Sequence, residues 1–287
     1  MGTSAFEYFA PVTISEATSL LARYRDEAKI LAGGHSLLPA MKLRLAEPKY
    51  LIDLGWIKEL SYIREQDGYL AIGAMTSYYD LESSDLVKRY APVLSEAASN
   101  VADLQIRNAG TIGGSLSHAD PAGDLPAVAL ALGAQLVVNT RRSSRIVNID
   151  RFFVDMMTTV LKPTELLTEI RVPFLSKGTG SSYQKFFNKA SHYAIVGVAA
   201  IVTVSNGICI NARIAITGAG PKAVRARRVE RILKGKKLDK SVVKRASKRA
   251  SAGIELLGDI HASDDYRAHL TNVYAERAIN EAMIRAV

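Results

Sequence analysis

The sequence predicts an α+β protein: two mixed modules, then an antiparallel sheet backed by helices. Three observations carry this prediction. A short β-α-β pattern opens the chain, and short strands and helices interleave up to about residue 175. Two long apolar strands then meet at Asn206-Gly207 before the pattern turns helical. Asn-Gly between apolar runs is a strong hairpin signal, because the tight turn that suits twisted strands needs positive φ at both central residues.

In the first block, residues 1–55, Ser15 stands where a cap would start a helix. Ala17, Leu20, Leu21 and Tyr24 then recur at helical spacing. Residues 29–32 read as a short strand interrupted by Gly33-Gly34. Pro39 sits near the start of a short helix, and residues 50–54 form the next strand. In the second block, residues 56–175, Gln66-Asp67-Gly68 turns a hairpin between residues 61–64 and 69–72. Helical patterns follow at 78–86 and 92–101, then a loop rich in Gly, Ser and Asp at 108–123, then an apolar helix from Leu125. Strands at 134–139 and 145–149 precede a closing strand at 165–172, stopped by Pro173. The third block, residues 176–287, holds the apolar strands 195–204 and 208–216, and Asp239 and Ser263 are caps for later helices.

Composition narrows the function classes. The 287 residues suffice for two or three modules, and no stretch approaches the roughly 20 apolar residues of a membrane span. The first residues carry Glu7 and no basic residue ahead of an apolar block. No secretory signal and a cytoplasmic location are therefore expected. The single cysteine, Cys209, excludes an internal disulfide and an iron–sulfur cluster, which needs about four cysteines. Between Ile208 and Ile210 it reads as a small hydrophobe in a strand. Redox chemistry would then require a bound organic cofactor or another chain.

The net charge of +9 is concentrated between Lys222 and Arg249, where only Glu230 and Asp239 oppose it. A nucleic-acid face is one reading and a pair of solvated helices is the other. The stretch has no aromatic residue for stacking and the chain no zinc-finger spacing, which favours the helices.

Two glycine-rich loops can carry chemistry: Ala32-Gly33-Gly34-His35-Ser36 and Thr111-Ile112-Gly113-Gly114-Ser115. Glycine lets an anion approach the main chain, consecutive N–H groups form a nest for phosphate oxygens, and the serine adds a donor. Plain structural turns are the alternative. Neither loop fits G-x-G-x-x-G or the G-x-x-x-x-G-K-S/T loop, and Gly218-Ala219-Gly220 runs into Pro221, a strand-to-helix turn. A Rossmann domain is therefore disfavoured.

The segment from Ala32 to Ser36, the run 105–115, its continuation through Asp120, Asp124 and Pro126, and Gly220-Pro221 with Arg225 and Glu230 resemble the FAD-binding medium subunits of the molybdenum hydroxylases. These include the carbon monoxide dehydrogenase, xanthine dehydrogenase and aldehyde oxidoreductase types. The resemblance covers nearly the whole chain. It implies a two-part FAD-binding domain of the vanillyl-alcohol-oxidase or PCMH type, residues 1–55 and 56–175, followed by a C-terminal flavoprotein domain, residues 176–287.

The resemblance further implies FAD, with both loops bracketing the pyrophosphate through their main chain. Asp124 would accept from a ribitol or ribose hydroxyl, where an ionised carboxylate makes a strong acceptor; the alternative is a helix cap before Leu125. Leu161 would offer a main-chain contact near the adenine, and Lys185 a cation near the flavin, or else only a surface strand residue. Tyr193 would lie beside the isoalloxazine, although residues 188–193 depart from the family's arginine-containing pattern. His35 shapes its loop; no catalytic residue and no metal ligand is expected in this chain. The implied partners are a large molybdenum-cofactor subunit and a small 2Fe–2S subunit, in a dimer of heterotrimers whose electrons leave through FAD to an external acceptor. A stand-alone FAD oxidoreductase is the alternative; a basic nucleic-acid module would leave both loops unexplained.

Overall fold

A computed structural model describes residues 2–286. The first module comprises β1 (Glu7–Phe9), α1 (Ile14–Tyr24), β2 (Ala28–Leu31), α2 (Leu37–Lys42) and β3 (Tyr50–Asp53), and its three strands form a parallel sheet with β3 central. The cap of α1 is Thr13, not Ser15. Thr13 has extended backbone, so its hydroxyl can bend back to accept from the Glu16 amide, whereas Ser15 already lies within the first turn. Ala17 and Leu21 of α1 bury against Ile52 and Leu54, and Tyr24 stacks on Tyr50 at 3.8 Å. Leu166 from the second module enters the same cluster and joins the two.

The second module contains β4 (Ile63–Gln66), β5 (Tyr69–Gly73), the helices α3 (Tyr78–Ser83), α4 (Asp85–Tyr90), α5 (Pro92–Ser99), α6 (Leu104–Ala109), α7 (Ile112–His118) and α8 (Asp124–Leu132), and then β6 (Gln135–Asn139), β7 (Ser144–Asn148), β8 (Phe153–Asp155), β9 (Thr158–Thr159) and β10 (Leu166–Pro173). The main sheet is antiparallel in the order β4-β5-β10-β6-β7. The helix expected over 78–86 is two helices, because Ser84 takes extended backbone and caps α4. The expected loop at 108–123 contains α7. Glycine and serine disfavour helix locally, but Thr111 caps this one and Gly113 lets it lie against Ala74, where a Cβ would come within 2.5 Å of the alanine side chain.

The third module is an antiparallel sheet of β11 (Thr179–Phe187), β12 (Ala194–Ser205), β13 (Ile208–Thr217) and β14 (Val224–Arg225), followed by α9 (Arg227–Leu233), α10 (Lys240–Ser247) and α11 (Asp264–Arg285). Asn206-Gly207 turns the β12–β13 hairpin as expected, with φ of +49° and +75°. Asp239 and Ser263 cap α10 and α11. The sequence pattern does not show β11, whose start is polar and glycine-containing. It forms because α11 lies directly on it: a Cβ at Gly180 would sit 1.9 Å from the Ala282 carbonyl oxygen.

One face of this sheet packs on α9–α11 through Val196, Val198, Ile214, Val229, Val243 and Ile279. The other face covers α8, every residue of which is buried, so Tyr183, Ala199, Ile201 and Ala215 share a core with Leu125, Val128 and Ile170. Cys209 is buried, and burial pushes its thiol up to about 11, as suits a small hydrophobe. Among the described residues no helix is long and apolar enough to cross a membrane.

The second sheet is clamped by Arg145, whose Nε and Nη2 both reach the Glu165 carboxylate at 2.8 Å. This fork, opposed by burial, holds Glu165 below its ordinary value of 4.5. A depressed carboxylate stabilises the fold above its ordinary pKa and loses that contribution as pH falls through the lowered value. Glu165→Gln is therefore expected to lower stability at neutral pH while shrinking the acid-side loss, as measured by urea unfolding between neutral pH and about pH 3. An unchanged acid limb would show that the pair contributes nothing.

Candidate functional site

Where the three modules meet lies a cleft of about 720 Å³, counting its open mouth. Its walls include His35 and Ser36 from the first glycine loop, Gly110 and Ser115 from the second, Asp124 at the start of α8, and His192 and Tyr193 from the β11–β12 turn. A second hollow adjoins it through Asp120, Ala122, Ser191 and Tyr193, and its far wall includes Asp259, His261 and Arg267.

The two loops come together by close packing. A Cβ on Gly33 would lie 2.1 Å from the Ala109 carbonyl oxygen, and one on Gly114 would touch Ala32 at 3.6 Å. Of the four motif glycines only Gly34 has positive φ, +75°, which turns the chain from β2 into α2. Gly33 and Gly113 bring backbones into contact, and Gly114 leaves room for the Thr111 hydroxyl, which a Cβ would approach to 2.8 Å.

The amides of the two loops are used differently. Among the described residues, none of the N–H groups from Gly33 to Leu37 donates to a protein acceptor, and Ser36 makes no side-chain cap. In the second loop Ile112 N–H donates to Thr76 O, Gly113 to Ala74 O, Gly114 to Thr111 Oγ1 and Ser115 to Thr111 O, all at 2.8–3.1 Å. The first loop thus presents a run of unpaired donors, whereas the amides from Ile112 to Ser115 in the second are engaged within the protein.

Asp124 is buried in the first turn of α8, whose cap is Gly123. Its carboxylate accepts from the Tyr183 hydroxyl and, at 3.1 Å, from Lys185 Nζ. Burial raises its pKa on balance, while Lys185 and Tyr183 pull it the other way, and the ammonium 3.1 Å away supplies the counter-charge that an ionised carboxylate needs here. Lys185 is equally enclosed, its side chain 3% exposed, and its remaining protons go to Asn100 O at 2.7 Å and His192 O at 2.9 Å. Its three donors are thus committed, so it acts on the cleft through Asp124 and through the turn that carries Tyr193.

Tyr193 is 49% exposed at the junction of the two hollows, and burial of its hydroxyl together with Asp120 and Asp124 raises its pKa. Leu161 stands outside the residues that wall the cleft; its N–H donates to Thr159 Oγ1 at 3.2 Å and its side chain packs on the second module. Two residues escaped the sequence reading. Tyr78 lies over Gly110, and burial pushes its phenol up to about 12, so it stays neutral. Tyr183 escaped because β11 was unread; once the strand is known, its period of two puts Tyr183 and Lys185 on one face.

Comparison with known proteins agrees with this architecture. Residues 4–175 match the family described as the FAD binding domain in molybdopterin dehydrogenase, and residues 181–282 the CO dehydrogenase flavoprotein C-terminal domain. The carbon monoxide dehydrogenase medium chain of Hydrogenophaga pseudoflava is 41% identical over 98% of each chain. The 6-hydroxypseudooxynicotine dehydrogenase complex subunit alpha of Paenarthrobacter nicotinovorans is 37% identical over 100% of this chain and 97% of its own. A solved carbon monoxide dehydrogenase of Hydrogenophaga pseudoflava superposes with a TM-score of 0.98 at 42% identity, covering 100% of both chains.

Fold and site therefore define an FAD-binding flavoprotein of the PCMH type with a C-terminal antiparallel sheet and helix. The chain belongs to the FAD-binding medium subunits of the molybdenum hydroxylases, the carbon monoxide dehydrogenase and xanthine dehydrogenase family. A medium chain of this type implies large and small partner subunits.

Removing one partner of a buried ion pair strands the other. Lys185→Met is expected to cost about 3 kcal/mol of unfolding free energy, and the double variant Asp124→Asn/Lys185→Met distinctly less, by chemical denaturation. Equal losses in both would show that Asp124 does not need the ammonium.

Proposed function

We propose that this chain holds FAD in the cleft and relays electrons from the 2Fe–2S clusters of a small subunit to an external acceptor, while a large molybdenum-cofactor subunit acts on the substrate. The observation that carries this reading is the run of unpaired amides from Gly33 to Leu37 in the same cleft as the buried Asp124 carboxylate. Unpaired donors at one site and a charged acceptor at another suit a pyrophosphate followed by a polyhydroxyl chain.

The residues present fit the cofactor. Gly33, Gly34, His35 and Ser36 would hold the pyrophosphate by their main chain, with Ala32 seating the loop against Gly114. Thr111, Ile112, Gly113 and Gly114 would fix the opposite wall, from which the Ser115 hydroxyl reaches the cleft. Asp124, held by Tyr183 and Lys185, would accept from a hydroxyl. Tyr193 would cover the ring, and Leu161 would supply only a carbonyl, since its N–H is engaged. When bound, FAD stores two electrons and exchanges them singly or in pairs, the chemistry needed between clusters and an acceptor. The protein's part is to position the cofactor, exclude water from its polar chain and keep a negative charge at Asp124.

The division into residues 1–55, 56–175 and 176–287, a dimer of heterotrimers and a cytoplasmic location complete the proposal. Two of the relatives are named for carbon monoxide and for a nicotine derivative, yet match this chain almost end to end. This favours a subunit that carries electrons and leaves the choice of substrate to its partners.

Purified chain supplied with FAD is expected to show bound flavin absorbance; its absence would sink the reading. Gly33→Ala forces a Cβ to within 2.1 Å of the Ala109 carbonyl oxygen, displacing the amide run. FAD affinity is expected to fall at least about tenfold, the loss of one charge-assisted hydrogen bond, with far-ultraviolet circular dichroism unchanged.

A further inference from the structure

An anion in the cleft would meet few positive charges. Among the described residues that wall it there is no lysine and no arginine, while Asp120 and Asp124 both line it. The buried ammonium of Lys185 is already committed to Asp124, Asn100 and His192. The wall's only basic side chains are His35, His118 and His192. Uncharged donors therefore count one by one: the amide run from Gly33 to Leu37, the Ser115 hydroxyl, and any further N–H or O–H that opens on the same space.

Tyr78 supplies such a donor. It opens α3, which Ser77 caps through a reciprocal bond with Asp80. Its own N–H donates to Gly110 O at 3.0 Å and Ser77 bridges to Thr111, so the start of α3 is fastened to the second glycine loop. The ring packs against the core of the second module and lies across Gly110, where a Cβ would come within 2.5 Å of Tyr78 Cε2. At the hydroxyl, burial is the largest influence and keeps the phenol protonated. Ser115 alone eases ionisation, as a donor to the phenol oxygen does, and Asp124, Tyr193 and Asp120 oppose it. The phenol's own proton meets no acceptor among the described residues, yet its oxygen is not sealed in the interior and the residue lines the cleft.

A phenol O–H without a partner, standing beside Ser115, calls for an acceptor from the ligand. A ribitol or ribose hydroxyl can already pair with the Asp124 carboxylate, whereas a phosphate oxygen only accepts and rewards each donor with a charge-assisted bond. We infer that Tyr78 is a further FAD-binding residue, its phenolic O–H donating to a phosphate of the cofactor from the wall that faces the Gly33–Leu37 amides. The inference rests on the FAD reading of the cleft. It gives the second glycine loop a part in binding although its own amides are engaged: the loop seats the ring, through Gly110, that carries the donor. It also lets the site favour phosphorylated flavins over the bare isoalloxazine and its ribitol.

The test is titration of the full chain, freed of flavin, with FAD and with riboflavin, which has no phosphate, followed by flavin fluorescence. Tyr78→Phe removes the hydroxyl and keeps the ring over Gly110. FAD affinity is expected to fall about tenfold, the loss of one charge-assisted hydrogen bond, and riboflavin affinity to stay within about twofold. Urea unfolding of the flavin-free variant should match that of the unaltered chain, because the O–H has no acceptor in the protein. The inference is overturned if Tyr78→Phe binds FAD as tightly as the unaltered chain. It is overturned equally if riboflavin loses as much affinity as FAD, which would make Tyr78 a wall of the ring site, or if the flavin-free variant is itself destabilised. Failure of the unaltered chain to bind FAD at all would instead remove the cofactor reading, and the role of Tyr78 with it.

Discussion

A buried carboxylate cannot be left alone. Asp124 sits at the start of a helix that is buried along its whole length, and the charge survives there only because Lys185 and Tyr183 reach it from β11. Neutralisation and assembly are therefore one event: the third sheet must dock on α8 for the carboxylate to find its partners. The same ammonium binds the carbonyls of Asn100 and His192, so one cation sets the end of α5, the start of α8 and the turn bearing Tyr193. Arg213 repeats the device at the far end of α8, donating to the carbonyls of Leu130 and Ala131 and to Asp150.

Rigidity at the cleft comes from glycine in an unusual sense. Gly33 and Gly113 keep backbones in contact rather than loose, and the contacts would be lost with one methyl group. Tight walls let the Gly33–Leu37 amides stay unpaired without collapsing onto a neighbouring carbonyl, a polar surface held ready in advance.

Much of the fold was legible because its signals are local. Asn206-Gly207 between apolar strands, the caps Asp239 and Ser263, and the β-α-β opening each need only a few adjacent residues. What stayed hidden depends on distant ones. The helix α7 is imposed by Ala74 on residues that disfavour helix, and β11 exists because α11 accepts Gly180. In the site, both loops could be found by composition, but not their unequal roles, since the acceptors of the second loop lie at Thr76 and Ala74 as well as within it. Lys185 could be marked as a cation of interest; that its donors are consumed is set by Asn100 and Asp124, 85 and 61 residues earlier.

The contact between β11 and α11 bears on how the chain is made. Arg285 donates to the Ser181 carbonyl, a residue 104 positions earlier, and to Glu96 on α5. During synthesis, β11 emerges long before the helix that covers it, so its small polar residues wait as an unprotected sheet edge. The tie between Arg285 and Glu96 that seats α5 can close only after α11 has arrived. The edge strand β11 is therefore covered late, and a chaperone or a partner subunit that shields it meanwhile would raise the yield of folded protein.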